Sequence, residues 1–581
     1  MNNEKDLEII RHGLSHIMAA AVEELYPDVK FAIGPAIDNG FYYDFDFGKG
    51  KMSEEDLAKI ENKMREIIKK DLKFEKSELK IDEAIARENK SGQAYKQELI
   101  EDLKKEGEKK VSYYKLGEFI DLCRGPHVGA SGKLKSVGFK LTKLAGAYWR
   151  GDEKRNMLTR VYGVAFADKK ELEDYLKMME EAEKRDHRKI GKEQDLFSFH
   201  EEAPGMPFFH PKGVIIYNEL KKFWLEAQKE FSYDMVLCPS MLDVSIWKQS
   251  GHWDHYKDDM YFIKAGEGEK AYALRPMDCP GAILIYNNSP KSYRDLPLRY
   301  AEPGLITRKE KSGQLGGLLR VQQFTQDDAH IFLTENQIED EIKKVIALID
   351  KIYKPFGLEY KAFLSTRPDD FMGEKKVWDK AESELKKILK DIYGDNYGLK
   401  EKDGAFYGPK IDYQLKDSLG RTWQCATIQL DFQMPGKFNC QYVDETGKEK
   451  YPVIIHRTIM GSFERFMGIL IEHYAGVFPV WLAPAQIKII SVGEKHIEFC
   501  QKLSREFIKE NIRVEVDGSN ETVGNKIRKA VNEKIPYVLV IGDREMESVR
   551  LAVRDRGARE AREIDKNEFI KEVKNKIDNR E

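Results

Sequence analysis

Several groups of residues have the types and spacing to do chemistry. In GLITRKEKSG, Arg308 and Glu310 sit in a charged, glycine-containing loop between apolar segments, and Arg320 follows. Two fixed guanidinium groups can fork onto phosphate oxygens and neutralise charge that develops during phosphoryl or adenylyl transfer. A solvated basic hairpin has the same composition. FTQDDAHIF places Gln326, Asp327, Asp328 and His330 among Phe324, Ile331 and Phe332, and strand alternation puts Asp328 and His330 on one face. Carboxylates buried there need a cation, either a substrate ammonium or a metal, or else they form a structural salt-bridge cluster. GSFERFMGILIEHY is an amphipathic helix preceded by glycine, with Arg465 near its start, where backbone donors suit an anion such as a triphosphate. His12 and His16 are four apart on a predicted helix, and Cys123 and His127 have the same spacing in DLCRGPHV. Together they make a set that zinc accepts, or a hydrolytic site that works without metal.

The elements that must hold these groups are legible in outline. The 581 residues allow about three or four domains. Residues 8–25 carry Ile9, Leu14, Ile17, Met18, Val22 and Leu25 at helical period up to Pro27, and FAIGPAIDNGFYYDFDF alternates like a strand and turn. These predict a small α+β unit over 1–145. A Glu-, Lys- and Arg-rich stretch from Lys169 to Lys192 suits an exposed connecting helix, so 146–195 is read as a helical linker. Strand-like RTWQCATIQLDF and YPVIIHRTI alternate with helical segments over 196–483, and strands and helices then alternate over 484–581 as in an α/β domain with a partly parallel sheet.

With 41% hydrophobic and 34% charged residues, and with no apolar run of the roughly 18 residues a bilayer requires, no membrane span is expected. MNNEKDLEII has neither the basic flank nor the apolar stretch of a secretory signal, which predicts a cytoplasmic protein. Cysteines 123, 238, 279, 425, 440 and 500 form no CxxC pair, so a cysteine with a task is a ligand or nucleophile and not half of a disulfide framework. The net charge of −3 means that any nucleic-acid contact must be local.

Taken together, these segments resemble the threonyl-tRNA synthetases of the bacterial type, from about residue 8 to the end. GMPFFHPKGVIIYNELKKFWLEAQKEFSYDMVLCP resembles motif 1 of class II synthetases, Arg308 lies in motif 2, and GSFERFMGIL resembles motif 3. The resemblance implies a homodimer, an antiparallel catalytic sheet, and ATP bound with Mg2+. It places Arg308 on the α-phosphate, Glu310 on adenine, Arg320 and Arg465 on phosphates and Phe324 against the base. Gln424 joins the ATP site and Lys410 the catalytic set with Arg308 and Arg465. RPMDCPG, QDDAHIF and IIHRTIMGS correspond to the family's zinc-bearing segments, with Cys279, His330 and His456 as the ligands of one zinc ion. Met277, His252, Gln326, Asp328, Tyr407, Gln429 and Ser462 then bind threonine.

In that family the amino group and hydroxyl of threonine complete the zinc coordination. This rejects valine but admits serine, and an editing domain clears the error by hydrolysing mischarged seryl-tRNA. HGLSH, QAYK and DLCRGPH resemble that domain, which assigns His12, His16, Lys96, Asp121, Cys123 and His127 to it. The last domain resembles an anticodon-binding domain, with Asn520, Arg528, Glu545 and Arg554 as base readers and Lys526, Arg528 and Lys529 as local cations for RNA. Two departures stand out. Many members begin with a small ubiquitin-like domain that has no counterpart here, and in the motif 2 loop Leu305-Ile306-Thr307, Lys309, Lys311, Gly316 and Gln323 replace the usual residues.

Overall fold

The computed structural model describes residues 4–48, 50, 52–264, 271–417 and 420–581, which divide into compact units at Met1–Glu180 and Glu181–Glu581. In the first unit the helix Glu4–Leu25 buries Leu14, Ile17, Met18 and Val22 completely, as its period predicts. It packs on an antiparallel sheet in the order Lys30–Phe31, Gly40–Asp46, Met157–Phe166, Gly138–Tyr148, and on the helix Glu54–Lys69. A second sheet pairs Phe74–Lys80, Lys110–Leu116 and Phe119–Leu122 and carries Asp121 to the edge of the first helix.

The boundary expected at residue 145 falls inside a strand. Met157–Phe166 pairs with both Gly40–Asp46 and Gly138–Tyr148 and fills the middle of the sheet, so the first unit cannot close without it. Nor is the linker one exposed helix. Lys169–Lys184 is mostly exposed, but the chain breaks at Asp186, which caps a second helix, His187–Glu193, whose His187 and Ile190 are buried.

The second unit is built on an eight-stranded sheet, in the order Asp234–Met235, Leu298–Thr307, Gln323–Leu333, Val453–Thr458, Thr422–Asp431, Lys410–Lys416, Glu359–Ser365, Gly398–Lys400. It is antiparallel except for its two outermost pairs. The helices Pro211–Glu230, Ile338–Tyr353 and Phe463–His473 pack on one side, with Leu220, Trp224, Ile342, Ile349, Phe466 and Leu470 in one continuous core. On the opposite side a smaller apolar cluster, with Tyr286 and Phe438 over Phe332 and Ile454, covers one end and leaves the rest open. Cross-strand register aligns Tyr300, His330, His456, Gln429 and Lys410 in one row.

The C-terminal sheet runs Val514–Asp517, Ile487–Ser491, Tyr537–Ile541, Arg550–Asp555, Arg562–Asp565, with parallel pairs first and antiparallel pairs after, as the alternation predicts. The closing hairpin, Arg550–Asp555 with Arg562–Asp565, is an addition to the predicted strand order. Its sequence alternates apolar and charged residues too briefly to separate it from a charged helix end. Among the described residues no helix is long and apolar enough to cross a membrane.

Candidate active sites and two cysteine-histidine clusters

Strand alternation fixes the larger site. Phe324, Gln326, Asp328 and His330 project from the open face of Gln323–Leu333, while Asp327 points to the core, where it accepts from the backbone N–H groups of Ile459 and Met460 at 3.0 Å and from the Thr458 hydroxyl. Asp327 is thus the structural anchor of the turn after Val453–Thr458, and Asp328 is the ligand-facing member of the pair.

Arg308, Glu310, Arg320, Phe324, Gln424 and Arg465 all line one pocket of about 310 Å³, with Gln326, Thr427, Thr458 and Ser462. Arg320 pairs with Glu310 at 2.8 Å, Arg308 donates to the Pro276 carbonyl at 3.1 Å and lies over the Phe324 ring, and Arg465 donates to the carbonyls of Leu319 and Gln424. Backbone acceptors thereby hold two guanidinium groups in place before any anion arrives, which lowers the ordering cost of binding one.

A smaller pocket of about 80 Å³ adjoins it, lined by Met277, Cys279, Asp328, His330, Tyr407, Gln429 and His456, and it shares Arg308, Gln326, Thr427 and Thr458 with the larger one. Cys279, His330 and His456 are all buried, and their ligating atoms lie within 4.8 Å of one another. His330 Nε2 is buried with no hydrogen-bond partner, an arrangement that costs stability unless something occupies its lone pair. His456 Nε2 meets Asp431 Oδ2 at 3.0 Å, the carboxylate backing that fixes the tautomer of a metal-binding histidine. Burial raises the Cys279 thiol far above its ordinary range, with the Asp328 and Asp431 carboxylates adding to it, and burial likewise raises Asp328. Both groups therefore favour a cation beside them. Soft thiolate and imidazole donors in a tight triangle fit zinc, with one position left open.

Three carried-over residues stand elsewhere. Ser462 lines the larger pocket and not the smaller one, because its hydroxyl caps the helix Phe463–His473 by accepting from Arg465 N–H. His252 lies behind Cys279, with Nε2 at 3.7 Å from Sγ and Nδ1 on the Ser250 hydroxyl; burial lowers its pKa to about 3. Lys410 lines neither pocket and is held by Asp412 at 3.0 Å. Asp431, Thr427 and Thr458 were not singled out from the sequence. Asp431 was within reach, since it falls two residues after Gln429 on the same strand face.

In the first unit a second cluster forms around Cys123, whose Sγ lies 3.2 Å from His12 Nε2 and 3.1 Å from His127 Nε2. His12 Nδ1 faces the Pro126 carbonyl at 3.3 Å, so that nitrogen carries the proton and Nε2 presents a lone pair to the thiol. The His16 ring stacks obliquely on His127. Burial lowers His16 to about 3 and His127 to about 2, and it raises Cys123 to about 11, so at neutral pH the cluster is uncharged. Beside it, Lys96 Nζ donates to Asp121 at 2.7 Å and to Tyr43 Oη at 2.9 Å, and Tyr43 donates to Asp121 at 2.5 Å. All six predicted residues are brought together. Tyr43 is a seventh, hidden in the sequence because it alternates with Phe41 and Phe45 like a core residue. Cavities of about 780 and 420 Å³ open onto Cys123 and His12 respectively.

Three family descriptions match segments of the chain: "tRNA synthetase class II core domain (G, H, P, S and T)" over residues 261–474, "Anticodon binding domain" over 486–576, and "Threonyl and Alanyl tRNA synthetase second additional domain" over 111–162. A threonine-tRNA ligase from Clostridium botulinum (strain Kyoto / Type A2) is 54% identical over 98% of this chain and 89% of its own length. The chain belongs to the threonine-tRNA ligase family. A ligase of that family from Clostridium kluyveri is 52% identical over 99% of this chain and 89% of its own. Among solved structures, the RNA binding domain of threonyl-tRNA synthetase from Cryptosporidium parvum Iowa II superposes with a TM-score of 0.65 at 38% identity, covering 67% of this chain and 98% of that one. Membership accounts for the three-part build: an editing-type domain, a class II core and an anticodon-binding domain.

In the anticodon-binding domain Asn520 and Arg528 are exposed, and Arg528 donates to Asn525 at 2.8 Å. Glu545 accepts from Gly542 N–H, and Arg554 is half-buried on its strand. Lys526 is not available to RNA: it is 1% exposed, and its Nζ donates to the Ser491 carbonyl at 2.9 Å. Lys529 pairs with Glu521.

Proposed function

We propose that this chain joins threonine to its tRNA by way of a threonyl-adenylate and hydrolyses seryl-tRNA formed in error. The observation that carries the reading is the continuity of two pockets on one sheet face. An arginine-lined pocket of about 310 Å³ meets a pocket of about 80 Å³ holding Cys279, His330 and His456, with Arg308 on the seam. A triphosphate in the first would bring its α-phosphorus to an amino acid in the second, converting a bimolecular encounter into a positioned one.

In the first step the threonine carboxylate attacks the α-phosphorus and pyrophosphate leaves with the Mg2+ that accompanies ATP. Arg308 neutralises the charge that develops at the seam, while Arg320 and Arg465 hold the departing phosphates. Phe324 offers its ring to the base, with Glu310 and Gln424 at the same pocket. Cys279, His330 and His456 would hold zinc, which when bound supplies an open position for a ligand with an amine and a vicinal hydroxyl. Asp328 takes the ammonium, and Gln326, Tyr407, Gln429 and Met277 shape the remainder. The acyl group then passes to the terminal ribose of tRNA, whose anticodon end would meet Asn520, Arg528, Glu545 and Arg554.

Serine offers the same amine and hydroxyl, so a purely binding-based sieve passes it. We assign its removal to the Cys123 cluster. A thiol held near pKa 11 is a poor nucleophile, so water is the attacking group, oriented by the imidazole lone pairs and the Lys96, Asp121 and Tyr43 network. We further propose editing, catalytic and anticodon-binding domains over about 1–166, 196–483 and 484–581. A homodimer through motif 1 is supported by the edge strand Asp234–Met235 and by Met235 and Leu237, which are 45% and 81% exposed beside it. The cytoplasm is where these substrates meet. Exchange of labelled pyrophosphate into ATP should require threonine; exchange driven by proline or serine and not by threonine would overturn the assignment.

A further inference from the structure

His187, on the short helix His187–Glu193 of the second unit, touches neither pocket, yet it is 2% exposed and hydrogen bonded through both ring nitrogens. Nδ1 lies 2.6 Å from Glu472 Oε1, and the His187 backbone N–H also donates to that oxygen at 3.2 Å. Nε2 accepts from the backbone N–H of Leu318 at 3.0 Å. A nitrogen that accepts from an N–H must present its lone pair, so the proton is on Nδ1 and is donated to Glu472. Asp186, His187 and Glu472 bring their oxygen and nitrogen atoms as close together as a metal site would. With both ring nitrogens committed, however, the histidine has nothing left for an ion.

Leu318 and Leu319 form a wall of the arginine-lined pocket. That wall is tied to the helix Phe463–His473 at two places. Near the helix start, Arg465 Nε donates to the Leu319 carbonyl at 3.0 Å. Near its end, Glu472 reaches Leu318 through His187. Gly468, between them, lets the wall approach closely: a Cβ there would lie 3.1 Å from Leu318 Cβ and from Leu319 Cδ2, tighter than ordinary van der Waals contact. Gly317 passes directly over the imidazole with φ +56°, and a Cβ there would collide with His187 Nε2. Arg421 pairs with the second oxygen of Glu472. Burial works against charge on Glu472, but hydrogen bonds from His187 and Arg421 outweigh it and hold its carboxyl below the ordinary range. The anion that orients His187 is therefore itself fixed.

We infer that His187 is a positioning residue for the nucleotide: held by Glu472, its imidazole fixes the Leu318–Leu319 wall and, through Leu319, the guanidinium of Arg465. This rests on the assignment of that pocket to ATP. Removing the acceptor would free the Leu318 N–H, leaving a buried donor unpaired, and would let the wall relax into the space ATP needs. The threonine pocket shares no residue with this wall.

Two substitutions separate the bonds. His187→Asn retains a donor toward Glu472 and removes the acceptor for Leu318 N–H; His187→Gln offers an acceptor near the Nε2 position. In threonine-dependent pyrophosphate exchange, His187→Asn should raise KM for ATP about tenfold and KM for threonine less than about twofold, and His187→Gln should recover most of the loss. An unchanged KM for ATP in His187→Asn, equal impairment of the two variants, or a parallel rise in both KM values would overturn the inference. Where His187→Asn does not fold, Gly317→Ala presses on the same contact from the loop side and should produce the same selective rise; its absence is equally decisive. Wild-type protein that shows no threonine-dependent exchange refutes the assignment of the pocket instead.

Discussion

The two cysteine-histidine clusters place the same residue types in unlike settings. Cys279, His330 and His456 come from a helix start and two adjacent strands, all buried, with Asp431 behind one imidazole and an unpartnered lone pair on another. Their donors converge from a sheet and a helix start, a buried and positioned setting that suits an ion. His12, Cys123 and His127 come from one helix and one loop, are half-buried, and surround the thiol with imidazoles at hydrogen-bond distance between two cavities. Both Nε2 atoms approach the same Sγ, at 3.2 and 3.1 Å, as donors and acceptors around a thiol do. The difference teaches that the same donors can stand in unlike settings, set apart by burial and by what stands behind each imidazole.

The hardest test of the contrast is to delete one donor from each cluster. His456→Ala should abolish bound zinc and lower threonine-dependent exchange on the order of a thousandfold, since the open position that receives the substrate disappears. Metal analysis and exchange kinetics read the two together, and equal zinc in variant and wild type would remove the ligand assignment. Next in size, Cys123→Ala should slow clearance of seryl-tRNA by about a hundredfold, in keeping with one positioned proton-handling group, while charging with threonine stays within about twofold. The same variant should contain as much zinc as the wild type. Loss of one equivalent would make the two clusters alike and end the comparison.

Sequence legibility divides along the same line. The editing cluster announces itself, because His12 and His16 share a helix face and Cys123 and His127 share a short loop. Local spacing is geometry when both residues sit in one element. The Cys279, His330 and His456 set is invisible to spacing, since Cys279 starts a helix while His330 and His456 meet only through strand register. Family resemblance alone brought it forward. The alternation that put Asp328 with His330 was readable, and so were the helix of Arg465 and the partly parallel last sheet. Sequence did not reveal that Met157–Phe166 completes the first sheet, nor that Lys526 is core. A strand in a sheet's middle and a lysine turned inward are decided by partners distant in the chain, which composition does not encode.

A finer cut tests what stands behind the imidazole. Asp431→Asn preserves shape and the acceptor used by the Gln433 and Met434 N–H groups, but it removes the carboxylate from His456. Zinc affinity should fall roughly tenfold to a hundredfold, read by competition with a chromogenic chelator. The corresponding partner of His12 is a backbone carbonyl that no substitution removes, so the editing cluster should be insensitive to changes of this kind at its rim.

The smallest effect concerns acid. His16 is fully buried, and burial, reinforced by Lys96 and His12, lowers its pKa from 6.5 to about 3. Below pH 6.5 the unfolded chain binds a proton that the folded one refuses, so stability of the first unit is full above that pH and is lost as pH falls toward 3. From pH 7 to pH 5 this single group accounts for about 2 kcal/mol. Hydrogen exchange in the helix Glu4–Leu25, corrected for intrinsic rates, should show a loss in the wild type that shrinks by about that amount in His16→Gln, the half-buried His127 supplying the remainder. A zinc chelator should leave it unchanged, because burial and not a ligated ion keeps this imidazole neutral. A chelator-dependent slope would instead place a metal in the editing cluster, and the two sites would differ in exposure alone.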